Sequence, residues 1–264
     1  MFLAIDAGNS NIVFALYRRG QRAPWSEIGR LDTASVSSEQ EVARHLMSFL
    51  NAQGVHYQKI ERIGFSSVVP RINSAVIQAC EQLELGHLVR TLNPELFKDL
   101  ALGVPRPDQI GSDLVADAYA AWKRNPNGFS LTVDFGTALT FTLVNGKEKR
   151  IEGVNIMPGI RTALKSLFMN TAQLPEINLE YPESPIGKDT QHAIRAGILY
   201  GYNGAVKEMI RILSAETGGN LKVYATGGMV KVLKDLHSYF DQVEPFLTVD
   251  GLRLIIEEDG RKMD

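Results

Sequence analysis

Phe2-Leu-Ala-Ile-Asp6-Ala-Gly8-Asn9-Ser10, followed by Asn11-Ile-Val-Phe-Ala-Leu-Tyr17, reads as an apolar strand, a polar turn and a second apolar strand. The same pattern returns at Leu131-Thr-Val-Asp134-Phe-Gly136-Thr137-Ala138, followed by Leu139-Thr-Phe-Thr-Leu-Val144. Each copy closes its first strand on an Asp, then places a Gly after one intervening residue and a small polar residue after that. Asp6 and Asp134 stand 128 positions apart in a chain of 264 residues, close to half its length. The offset and the shared pattern imply an internal duplication of an α/β lobe. Gly in such a turn permits a close approach that a Cβ would block. The exposed N–H groups beside a hydroxyl or amide side chain make an anion nest. A single copy is more plainly an ordinary hairpin turn. Two copies with matching flanks favour a phosphate cradle shared by two similar lobes. The chain has neither a Gly-x-x-x-x-Gly-Lys-Ser/Thr loop nor a Gly-x-Gly-x-x-Gly fingerprint, so the cradle must be of the duplicated kind.

Composition narrows the class. Lys and Arg total 28 against 30 Asp and Glu, a net charge of −2, so no global basic field exists to hold nucleic acid or an anionic membrane. Hydrophobic residues make up 44%, enough for a sizeable core. The one cysteine, Cys80, lies in Ala75-Val-Ile-Gln-Ala-Cys80-Glu-Gln-Leu83, an amphipathic pattern that makes it a buried thiol and excludes an intrachain disulfide or a Cys-based zinc site. The five histidines are scattered without metal-ligand spacing and read as surface or cap residues, and Trp25 and Trp122 read as packing residues. Asp6 interrupts any N-terminal apolar run of a signal peptide, and no run approaches the ~18 residues of a membrane span. The expectation is a soluble cytoplasmic protein acting on small molecules.

Outside the two copies, Ser38-Glu-Gln-Glu41 is a capping box, followed at helical spacing by Val42, Leu46, Phe49 and Leu50. A strand is expected at 62–66, a helix from Ile72 to Leu83, an extended loop over the Pro-containing residues 101–110, and a helix over roughly 111–123. In the second half, a segment from Glu152 to Pro158-Gly159 precedes helices near 160–169 and 189–215, and a strand is expected at Leu221–Ala225.

Three further segments carry chemistry. Thr226-Gly227-Gly228 is expected to follow a strand and open a helix, where two glycines admit a phosphate or a planar ring; a tight strand–helix junction is the plainer alternative. Gly111-Ser112-Asp113 falls at a predicted helix start. Asp113 either balances the helix dipole or takes a proton from an alcohol attacking a γ-phosphate. Pro185-Ile-Gly187-Lys188-Asp189-Thr190 precedes a long helix with Gly197, Gly201 and Gly204 along it, a small-residue face suited to intrachain packing or to a dimer interface.

Taken together these segments resemble type III pantothenate kinase, a bacterial member of the acetate-and-sugar-kinase/Hsp70/actin superfamily. The matching stretches are Asp6-Ala-Gly-Asn-Ser-Asn-Ile-Val13, Ser66-Ser-Val-Val-Pro70, Gly111-Ser-Asp113, Val133-Asp-Phe-Gly-Thr-Ala138, Gly153 with Pro158-Gly159-Ile160, Gly187-Lys-Asp-Thr190 with Gly197 and Tyr200-Gly201-Tyr202, and Ala225-Thr-Gly-Gly228. They run in family order over nearly the whole chain. The resemblance implies two ribonuclease-H-like (actin-like ATPase) lobes with a cleft between them, residues 1–115 and 116–264. It implies ATP-dependent phosphorylation of pantothenate to 4′-phosphopantothenate, the first step of coenzyme A biosynthesis. ATP would be held by Asp6, Gly8, Asn9, Ser10 and Asn11 with Thr137, Gly227 and Gly228. Asp113 would be the general base. Asp134 would match the family's ligand for a monovalent cation (K⁺ or NH₄⁺), and Mg²⁺ would arrive with ATP. The acceptor would meet Gly111, Ser112 and Asp113, and Thr190 would reach it from the partner subunit of a homodimer.

Departures from the family pattern concentrate at the acceptor. The family usually has Gly-Ala-Asp-Arg where this chain has Gly111-Ser112-Asp113-Leu114, and its pantothenate-contacting tyrosine falls on Val104. The family's following asparagine appears as Asp117. Losing the arginine forfeits a charge-assisted hydrogen bond of ~1.5–3 kcal/mol. A weakly active or non-catalytic homologue with a regulatory role, similar to the Bvg accessory factor branch, is therefore a second expectation. A kinase for another small alcohol is a third.

Overall fold

The computed structural model describes residues 1–21, 23–169 and 177–263. The chain divides into two compact units, Met1–Ala120 with Phe246–Asp264, and Ala121–Pro245. In the first, β1 (Phe2–Ala7) and β2 (Asn11–Tyr17) form the expected hairpin and β3 (Gly29–Asp32) extends it. Then come α1 (Glu39–Ala52), β4 (Arg62–Ser67), α2 (Pro70–Gln82), β5 (Val89–Thr91), α3 (Pro94–Lys98) and α4 (Ser112–Arg124). The sheet order is β3-β2-β1-β4-β5, antiparallel through the first three strands and parallel from β1 to β5.

The second unit contains β6 (Phe129–Phe135), β7 (Ala138–Asn145), β8 (Arg150–Pro158), α5 (Ile160–Met169), α6 (Thr190–Glu216), β9 (Leu221–Thr226) and β10 (Gln242–Val243). Its order, β8-β7-β6-β9-β10, repeats the first sheet strand for strand, with the same parallel and antiparallel pairs. The repeat extends to register. Asp6 lies across from Ser66 on β4, and Asp134 across from Thr226 on β9. The chain is thus an α/β protein with two mixed five-stranded sheets of one plan.

Alternation along the strands builds each core. Leu3, Ile5 and Ala7 of β1 and Ile12, Phe14 and Leu16 of β2 bury one face against Val42, Leu46 and Leu50 of α1 and residues of α2. Cys80 belongs to this core, and burial pushes its thiol up to about 12, so it stays neutral. In the second unit Leu131, Val133 and Phe135 face Leu199, Val206 and Ile210 of α6. Ser38 caps α1 as expected, accepting from the Glu41 N–H at 3.4 Å, but the Glu41 carboxylate receives the N–H of Ser37 at 3.1 Å rather than that of Ser38.

The helix α7 (Leu247–Met263) follows the second unit in sequence and packs on β1 and β4 of the first sheet. Two glycines make room for it. A Cβ on Gly64 would lie 2.9 Å from Leu252 Cγ, and one on Gly251 would run into the Ala116 carbonyl oxygen. Arg253 fixes the helix further. It pairs with Asp250 at 3.0 Å and Glu257 at 2.7 Å, and its guanidinium sits 4.1 Å from the centre of the Tyr17 ring.

One expectation fails. Thr226-Gly227-Gly228 does not open an α-helix: the chain passes through successive turns, with Val232 N–H donating to Met229 O at 3.0 Å, and the next helical piece is a 3₁₀ segment at Lys234–Tyr239. Gly227 has φ +93°, a left-handed conformation that turns the chain aside at once. No helix among the described residues is long and apolar enough to cross a membrane.

Candidate functional site

In the first unit the β1–β2 turn closes through Gly8 N–H to Asn11 O at 3.0 Å, leaving Asn9 and Ser10 exposed and Asn11 half-buried. Thr33, just past β3, braces it from below. Its hydroxyl donates to Gly8 O at 2.7 Å, its N–H donates to Ser10 O at 3.0 Å, and its own carbonyl accepts from Arg71 Nη2 at 2.9 Å. The turn's carbonyls are therefore engaged on the protein side, which lowers the repulsion an anion would meet at Asn9–Ser10.

Beside that turn stand two carboxylates. Asp6 ends β1, and Asp113 sits in the first turn of α4, where Leu114 N–H donates to its Oδ1 at 2.8 Å. Burial pushes the Asp6 carboxyl up to about 7, helped by the negative charge of Asp113 and opposed by a hydrogen bond with Ser66. Burial also raises Asp113, while backbone N–H groups at Leu114 and at Asp113 itself pull it back. Gly111 is required here, because its Cβ would collide with Asp113 Oδ1. Ser112 is buried. Its Oγ lies 2.9 Å from Ser66 Oγ, accepts from Ser67 N–H at 3.1 Å and donates to Ser67 O at 3.1 Å. The start of α4 is thereby stitched to the end of β4. Leu114 is buried and apolar, and Val104 is half-buried in the irregular segment that leads to α4.

The second unit builds a tighter turn. Gly136 N–H donates to Ala138 O at 3.1 Å, one residue fewer than in the first copy, and Thr137 is exposed at the tip. Thr137 O accepts from Gly159 N–H at 3.0 Å and from the Thr162 hydroxyl at 2.6 Å. Tyr202 of α6 donates to Pro158 O at 2.7 Å, tying α6 to the same corner. A Cβ on Gly159 would strike the carbonyl oxygens of Gly136 and Thr137, and one on Gly227 would strike Asp134 Oδ1. Asp134, Thr137 and Gly227 are thus brought together, with Gly228 exposed next to them. Among the described residues no group of three or more His, Cys, Asp or Glu forms a divalent-ion cage.

Thr190 opens α6 and is exposed, with Asp189 capping the helix by accepting His192 N–H at 2.8 Å. Gly197, Gly201 and Gly204 lie along α6 with open space where a Cβ would be. Sequence reasoning did not single out Thr33, Arg71 or Thr162, and it named Tyr202 only within a matching stretch, without the contact it makes. Their partners lie 25 to 44 positions away, so no local pattern marks them.

Comparison with known proteins agrees with this arrangement. A Campylobacter jejuni protein assigned to the Baf family of transcriptional activators is 21% identical, with 98% of this chain and 99% of that chain covered and a TM-score of 0.56. An inorganic polyphosphate/ATP-glucomannokinase from Arthrobacter sp. strain KM is 12% identical over 97% of this chain and 98% of its own, with a TM-score of 0.50. The Alp12 filament structure is 9% identical over 98% and 99%, with a TM-score of 0.52. At these identities the likeness is one of fold. The sequence itself matches the family model described as type III pantothenate kinase over residues 2–212, and the chain belongs to that family.

Proposed function

We propose that this chain transfers the γ-phosphoryl group of ATP to pantothenate, giving 4′-phosphopantothenate, and so opens coenzyme A biosynthesis in the cytoplasm. The observation that carries the reading is the pair Asp6–Asp113 beside the braced Gly8 turn, in a chain of this kinase family. Two neighbouring half-buried carboxylates do not readily both ionise. The Asp113 charge adds to the upward push on Asp6, whereas backbone N–H groups draw Asp113 back, so the proton stays on Asp6 and Asp113, held by the Leu114 N–H, remains free to accept the proton of the attacking hydroxyl. Positioning and charge stabilisation supply the rest of phosphoryl transfer.

In this reading Asp6, Gly8, Asn9, Ser10 and Asn11 receive the phosphates, and Thr137, Gly227 and Gly228 add further ATP contacts. Mg²⁺ bound with ATP neutralises developing charge on the phosphates. Asp134 holds K⁺ or NH₄⁺. Val104, Gly111, Ser112 and Leu114 line the acceptor side. Thr190 meets the acceptor bound by the partner subunit of a homodimer, a role consistent with its exposure and with the open small-residue face of α6.

A second reading, a weakly active or regulatory homologue, is favoured by one observation. Leu114 is buried and apolar where the family carries a substrate-holding arginine. An ADP-release assay with ATP, Mg²⁺ and K⁺, run with and without millimolar pantothenate, separates the two. Pantothenate-dependent release supports the kinase. No release from folded protein favours the regulatory reading, and a screen of small alcohols then tests for another acceptor. In the active case Leu114→Arg lowers the KM for pantothenate by about 10-fold or more; an unchanged KM means that another group already holds the substrate.

A further inference from the structure

Ser66 sits between Asp6 and Ser112, and it owns a single hydroxyl proton. That proton cannot go both ways. Ser112 Oγ already accepts Ser67 N–H at 3.1 Å and is placed to donate to Ser67 O at 3.1 Å, with Ser66 Oγ 2.9 Å away.

Two complete arrangements follow. When Asp6 is protonated, its O–H donates to Ser66 Oγ, Ser66 donates to Ser112 Oγ, and Ser112 donates to Ser67 O. Every proton has an acceptor. When Asp6 is ionised, Ser66 turns to donate to the carboxylate, Ser112 follows to donate to Ser66, and Ser67 O loses the Ser112 hydroxyl. The two arrangements differ by one hydrogen bond in favour of the protonated form. We propose that the Ser66–Ser112 hydroxyl pair is a two-position relay that reads the proton on Asp6, and that Ser112 is a positioning residue which biases the relay toward the proton-holding arrangement. The relay rests on the kinase reading only for its consequence: by keeping the proton on Asp6, it leaves Asp113 as the base.

Burial and the Asp113 charge already favour the proton on Asp6, and the relay acts on top of them. Asp113 on α4 is the charged group acting on Asp6, and Asp117 is buried one turn further along that helix. Arg71 of α2 is turned to Thr33 O at 2.9 Å, and Asp32 of β3 accepts Ala34 N–H at 2.9 Å. On α7, which packs on β1, Asp250 and Glu257 pair with Arg253, Glu258 accepts from Tyr119, and Asp259 pairs with Arg90.

The test reads protonation directly. Protein carrying ¹³C-labelled aspartate carboxyl groups is titrated by NMR, with Asp6→Asn identifying the Asp6 signal. Ser112→Ala frees Ser66 to serve the carboxylate alone, so the Asp6 midpoint falls by about half to one pH unit. Ser66→Ala removes the only hydroxyl partner Asp6 has in the relay, so the midpoint rises by a similar amount. Ser112→Thr keeps the hydroxyl and restores the parent midpoint. Opposite shifts support the relay; a shift of the same sign in both alanine variants, or none, overturns it. The titration needs no turnover, so a failed kinase assay leaves it intact.

Discussion

Asp6 and Asp134 hold the same place in two copies of one sheet, yet their neighbours differ. Asp6 faces a second carboxylate and a serine hydroxyl network. Asp134 faces the backbone of Gly227 and a turn shortened by one residue. The divergence begins one residue past the position that pairs with each aspartate. β4 runs on through Ser67, whose hydroxyl accepts Val69 N–H at 3.1 Å at the threshold of α2. β9 runs into Gly227 at φ +93°, and no α-helix opens there. Two sheets of one plan keep strand order and register, while single residues at the strand ends give one carboxylate a second carboxylate and a hydroxyl as neighbours and bring a glycine backbone against the other.

The comparison breaks most sharply at the proton. Asp113→Asn is expected to lower pantothenate-dependent turnover by about 10²- to 10⁴-fold with an unchanged circular dichroism spectrum. Retained turnover would remove the proton role from the first copy. At the strand ends, Gly227→Ala must hold a Cβ at positive φ against Asp134, at a cost of roughly 2–4 kcal/mol in urea unfolding. Ser67→Ala, its counterpart, loses one hydroxyl contact and costs about 1 kcal/mol. Equal effects would mean that the two strand ends are not distinct.

Stability against pH sharpens the contrast next. The folded Asp6 carboxyl titrates near 7 against 3.8 for an ordinary aspartate, so between those values the folded state binds the extra proton. Stability therefore falls as pH rises from about 4 to about 7. Asp6→Asn removes that slope, on the order of 4 kcal/mol across the window, as read by denaturant titrations at several pH values. An unaltered slope would assign it to other groups. The smallest effect concerns the braces. Thr33→Val and Thr162→Val each delete one hydroxyl bond to a turn carbonyl, at 2.7 Å and 2.6 Å, and each is expected to cost about 1 kcal/mol and raise the KM for ATP a few-fold. A difference between them would show which turn bears more of the nucleotide.

The parts legible in the sequence were those written locally. Strand alternation, the Asp-x-Gly turns and the Ser38 cap are settled within a few residues of one another, and each appears in the structure. The strands β5 and β10, three and two residues long, are too short to show a period. In α7 the spacing of Leu252, Ile255 and Ile256 is helical, but Gly251 and Gly260 interrupt the signal, and one of those glycines is there for the Ala116 carbonyl that only the fold brings near. The site shows the same division. Asp113 stands out by its motif, whereas the Ser66–Ser112 contact spans 46 positions and the Thr33 brace spans 25. The Gly227-Gly228 pair was read as a helix start because two glycines after a strand fit that use. The sign of φ, which decides against it, belongs to the folded backbone.

The return of α7 to the first sheet has a consequence for biogenesis. Residues 121–245 are contiguous, so a ribosome releases that unit whole while the first sheet still lacks the helix that covers β1 and β4. The half made first is therefore finished last, and until α7 has been made the side of β1 and β4 that carries Phe2 and Gly64 lacks its cover.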